Sequence, residues 1–76
     1  MKVALGNRIR KAREASGLSR KALADAIGVG ASAVGMIECG FRLPSLELLF
    51  TIGQVLDVDA ADLIRGLPTT KVRKRK

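Results

Sequence analysis

Residues 20–39, RKALADAIGVGASAVGMIEC, constrain the fold more than any other stretch of this chain. Apolar residues recur there at three- and four-residue spacings on either side of Gly28, the mark of two short amphipathic helices joined by very few residues. Helices joined so tightly must cross steeply. The crossing needs a small residue where the backbones approach, which Ala24 provides, and one tolerant of positive φ in the turn, which Gly28 provides. It also needs apolar side chains to wedge the pair onto a supporting core, and Leu23, Ile27, Val29, Val34 and Ile37 stand at the required offsets. The second helix of such a pair is left standing proud of the surface.

The remainder of the chain reads as helices too, and no stretch alternates apolar and polar residues as a strand would. A first helix is expected over about 5–16, carried by Leu5, Ile9 and Ala12 and stopped at Gly17. Ser19 can cap the second, of about eight residues, and the third covers about 31–39, ending at Gly40. Pro44 and Ser45 open a fourth, with Ser45 as cap; Asp59 followed by Asp62 resembles the capping box of a short fifth. The expectation is an all-α, five-helix domain over 1–67, then a flexible basic tail, 68–76. At 76 residues the chain supports a single core.

The fourth helix carries two apolar stripes, one of Leu46, Leu49, Phe50, Gly53 and Leu56, the other of Leu48, Ile52 and Val55. A helix apolar on two sides is normally covered on both. Either the fifth helix covers the second stripe or a partner subunit does. The second case makes Leu48, Ile52, Val55, Ala60, Ala61 and Ile64 the candidate dimer interface.

Charge divides the chain. Residues 1–42 carry eight basic and three acidic side chains, residues 43–66 one basic and four acidic, and the last ten residues five basic and none acidic. The front half and the tail suit a polyanion, although basic chains of this size are also found at membranes and in ribosomes. With no histidine and a lone cysteine, Cys39, there is no basis for a tetrahedral zinc site, an internal disulfide or histidine catalysis; no cofactor is expected, and no enzyme. No run of about 20 apolar residues or secretory signal is visible, which puts the expected location in the cytoplasm. Gly28, Gly30 and Ala33 spell a weak dinucleotide fingerprint, but the helical spacing of the preceding ALADAI excludes the strand that motif requires.

In IRKAR (9–13), GLS (17–19), LADAIGV (23–29), IECGFRLPS (37–45) and LDV (56–58) the sequence resembles the helix-turn-helix family of phage lambda repressor and Cro. The likeness covers residues 5–66, and GVGASAVG (28–35) is similar to the lambda repressor turn and recognition helix. The resemblance implies a homodimeric transcriptional regulator that sets its third helix in the major groove of a palindromic operator, with double-stranded DNA as partner and no small-molecule effector in evidence. It implies an ion pair between Arg13 and Glu38 that ties that helix to its scaffold. Gly30, Ala31, Ser32, Gly35 and Met36 would face base edges.

None of those five is an Arg, Lys, Asn or Gln, the usual bidentate readers. Ser32 could bond a base or stay solvated, and Ala31 and Met36 could touch thymine methyls. Arg20, where the family often has Gln, would hold a phosphate, with Lys21, Arg42, Arg10, Lys11 and Arg8 as further phosphate candidates. The tail VRKRK either lies along DNA or merely aids solubility. The competing reading is a protein-interaction module that kept the fold and binds DNA weakly or non-specifically.

Overall fold

A computed structural model of the protein describes residues 1–67; the basic tail 68–76 lies outside the described residues. Five helices follow in order: α1 Lys2–Ala15, α2 Arg20–Ile27, α3 Ala31–Glu38, α4 Leu46–Leu56 and α5 Ala60–Ile64. No strand occurs among the described residues. Local chemistry sets the starts of three of them. The side-chain oxygens of Ser19, Ser45 and Asp59 accept hydrogen bonds from the Ala22, Leu48 and Ala61 amides at 3.0, 3.1 and 3.0 Å, satisfying donors that the first turn of a helix leaves open.

Leu5 and Ile9 of α1, Leu23 and Ile27 of α2, and Val34 and Ile37 of α3 meet Leu49, Ile52 and Leu56 of α4 in one core, which Ala60, Leu63 and Leu67 close. The first helix begins earlier than its apolar spacing suggests, because the turn before Leu5 closes by a 2.9 Å bond from the Leu5 amide to the Met1 carbonyl. Arg8 fastens α1 to the far end of the chain, donating from Nη1 to the carbonyl oxygens of Asp62, Leu63 and Arg65. Those carbonyls are left open at the end of α5, so a cation there satisfies acceptors and complements the helix dipole. Arg8 is therefore engaged in holding the fold together, unlike the free phosphate candidate its position suggested.

Helix α4 corrects the two-stripe reading. Its buried arc lies between the stripes, taking Leu49, Gly53 and Leu56 from one and Ile52 from the other. Gly53 sets this rotation: a Cβ on it would come within 2.7 Å of the Val58 carbonyl oxygen, so this position is pressed against the α4–α5 turn. Two residues expected at a subunit interface consequently belong to the core. Ile52 is 1% exposed and Ala60 7% exposed, and neither offers surface to a partner. Of the remaining candidates, Leu48 and Val55 are half-buried on one flank of α4, while Ala61 and Ile64 are exposed on α5. Leu46 and Phe50 are exposed on the opposite flank.

Candidate nucleic-acid interface

The α2–α3 unit is built as its residues require. Gly28 ends α2 at φ +78°, a left-handed conformation that costs glycine nothing, and the Val29 amide closes the turn on the Ala24 carbonyl at 3.0 Å. Ala24 is buried at the crossing. Three residues later α3 begins, and Val34 and Ile37 turn its back into the core.

The end of α3 is tied down by charge. Glu38 is 2% exposed and accepts from Arg13 twice, Nε to Oε2 at 2.6 Å and Nη2 to Oε1 at 3.2 Å. Arg13 is itself buried and also donates to the Leu18 carbonyl at 2.7 Å. Its hydrogen bond to Glu38 raises the guanidinium pKa, outweighing the opposite pull of burial, so Arg13 keeps its charge although it is buried. A third member joins from α2: Arg20 Nε donates to Glu38 Oε1 at 3.0 Å. Sequence reasoning assigned Arg20 to phosphate alone and missed this bond.

It also missed Gly6. A Cβ there would stand 2.7 Å from the Glu38 carbonyl oxygen and closer still to that of Ile37, so α1 and the end of α3 touch backbone to backbone. The only available signal was a glycine within a helical pattern, where a packing reason is the usual explanation.

With its back fixed, α3 turns one stripe outward. Ala31, Ser32, Met36 and Cys39 are exposed, Gly35 between them is half-buried, and Gly30 just before the helix is exposed. Positions 31, 32, 35, 36 and 39 recur at one-turn intervals and so share a face. All five expected base-facing residues thus lie on or at the edge of a single open surface, and Met36 is its largest side chain, 44% exposed. The stripe has no charge of its own.

Cations flank it. Lys21 at the start of α2 is exposed and, among the described residues, pairs with Asp25 alone, at 3.3 Å and in solvent, a contact weak enough to exchange for a phosphate. Arg42, just past α3, is exposed, as is Lys11; Arg10 is half-buried on α1, one turn beyond Gly6 and so on the side facing the end of α3. Arg10, Lys11 and Arg42 form no ion pair among the described residues. No group of metal-ligating side chains occurs among the described residues, and no described helix is long and apolar enough to cross a membrane.

Two short helices crossing on a three-helix support, the second with an open face, define a helix-turn-helix protein. The helix-turn-helix family model matches residues 9–63, and the chain belongs to that family, in its Cro- and lambda-repressor-like branch of transcriptional regulators. An uncharacterized HTH-type transcriptional regulator of Bacillus subtilis, YazB, is 38% identical over 58 residues, which is 76% of this chain and 84% of YazB. Among solved structures, the restriction-modification controller protein C.AhdI from Aeromonas hydrophila is 38% identical with a TM-score of 0.77, over 80% of this chain and 88% of the controller. SinR, a master regulator for biofilm formation solved in complex with DNA, is 34% identical with a TM-score of 0.75, over 79% of this chain and 97% of SinR.

Proposed function

We propose that this regulator acts in the cytoplasm as a homodimer that sets the two copies of α3 in successive major grooves of a palindromic operator. One observation carries the reading: α3 is pinned along its back by Val34, Ile37 and Glu38 while 31, 32 and 36 lie open on one face with half-buried Gly35 between them. A helix held this way can enter the groove without rearrangement, at little cost in ordering. Lys21 and Arg42 hold phosphates on either side of it, with Arg10 and Lys11 as further contacts. SinR, a structural relative solved in complex with DNA, supports DNA as the partner.

Leu48, Val55, Ala61 and Ile64 form the subunit interface, joining the exposed side of α5 to the half-covered flank of α4. The two recognition helices then lie about 34–36 Å apart, one turn of DNA. The basic tail, if it engages DNA, adds salt-sensitive affinity.

A second reading is favoured by one feature, the absence of any Arg, Lys, Asn or Gln on the open face of α3. On that reading the chain keeps the fold as a protein-interaction module. Selecting duplexes from a random pool and measuring their binding against salt separates the two. The regulator selects a two-fold-symmetric sequence, and log affinity falls with log salt by about 0.9 for each phosphate contact. Lys21 and Arg42 in two subunits give a slope of about −3.6 or steeper. Binding that shows no sequence selection, whatever its salt dependence, contradicts the regulator and supports the module.

A further inference from the structure

We infer that Arg20, from α2, is the residue that reads guanine for this recognition surface, in place of a reader on α3. The inference rests on the groove-binding role proposed above. Its starting point is a deficit: the open face of α3 offers one hydroxyl and no bidentate side chain. Its substance is the position of Arg20. The side chain leaves the first turn of α2 and lies against α3, where Nη1 sits 3.8 Å from the point a Cβ on Gly35 would occupy. Gly35 lies within the outward stripe, on the same face as Ser32 and Met36. The guanidinium therefore lies beside the outward stripe, in ordinary contact range of position 35.

Glu38 fixes the orientation. The 3.0 Å bond engages Nε, the donor nearest the backbone, and both terminal nitrogens have no hydrogen-bond partner among the described residues. Two parallel N–H donors at the end of an arginine match the O6 and N7 acceptors of guanine in the major groove. Glu38 is a rigid anchor because Arg13 already holds it from the other side. Arg13 also neutralises Glu38, so the cluster of two cations and one anion keeps a net positive charge, carried by the exposed partner. The Arg20 side chain is 45% exposed, against 10% for Arg13. An arginine held by its Nε loses less freedom on binding than a free surface cation.

The test uses duplexes that the wild-type protein selects from a random pool, with each guanine replaced in turn by 7-deazaguanine, which lacks the N7 acceptor. The wild type is expected to lose at least about 5-fold in affinity at one guanine per half-site, and less than the roughly 150-fold that bounds a whole bidentate contact, because O6 remains. Arg20→Ala should be indifferent to that replacement. Arg20→Lys keeps the charge and the salt-dependent binding to unrelated duplex but, lacking a fork anchored on Glu38, loses most of the discrimination. Neither substitution disturbs the Arg13–Glu38 pair, and thermal melting verifies the fold.

If Arg20→Ala weakens every duplex equally and keeps the sensitivity to 7-deazaguanine, Arg20 is a phosphate contact and the inference is overturned. It is likewise overturned if no guanine of the selected sequence responds in the wild type. A wild type that selects no sequence at all removes the groove-binding role itself, a failure distinct from these two.

Discussion

Glu38→Ala is expected to destabilise the protein by about 3–5 kcal/mol, the cost of leaving a buried charge without its partner. Arg13 would be the stranded group, buried beneath the end of α3 with only the Leu18 carbonyl and the exposed Glu14 carboxylate, 3.9 Å away, to compensate it. A domain of this size has a total stability of only about 0.05–0.15 kcal/mol per residue, so the loss would unfold a large share of the molecules. Urea unfolding followed by circular dichroism measures it. The double variant Arg13→Met/Glu38→Leu should recover most of the loss, since a buried ion pair can be replaced by apolar side chains of similar volume at little cost. It should not recover DNA selection, because Arg20 then has no anchor. A loss below about 1 kcal/mol for Glu38→Ala would mean that the cluster is solvated, contrary to its burial.

Gly6→Ala is expected to lower stability by about 1–3 kcal/mol, reversing the usual sign. In an ordinary helix interior this substitution stabilises by roughly 0.5–1 kcal/mol, because alanine has less backbone freedom to lose. At Gly6 the added methyl meets the carbonyl oxygens of Ile37 and Glu38, which are backbone atoms and cannot swing aside. Helices α1 and α3 must move apart, and with them the Arg13–Glu38 contact. Gly35→Ala is the control. Its Cβ would meet only Arg20 Nη1, at an ordinary 3.8 Å, so the normal stabilisation of roughly 0.5–1 kcal/mol should appear. Urea midpoints of the two variants should shift in opposite directions; equal shifts would contradict the backbone contact at Gly6.

Much of this could be read from the residues because the relevant signals are local. Gly28 and Ala24 satisfy requirements of a tight crossing that few residues meet, and Ser19, Ser45 and Asp59 cap helices through atoms two or three residues away. The pairing of Arg13 with Glu38, 25 positions apart, was accessible only through the likeness to lambda repressor and Cro. What escaped the sequence depends on how helices are rotated against each other. Ile52 fits an apolar stripe aimed at a partner as well as one aimed inward, and the choice is made by Gly53 against Val58. Arg8 and Arg20 look like free cations until the chain brings the α5 carbonyls to one and Glu38 to the other.

The most direct test of the central claim, that paired α3 helices read adjacent major grooves, is methylation interference on a selected duplex. Methyl groups on guanine N7 lie in the major groove and those on adenine N3 in the minor groove. The account predicts that N7 methylation blocks binding in two clusters centred about 10–10.5 base pairs apart, on one face of the duplex. Interference confined to adenine N3, or to a single cluster, would contradict it.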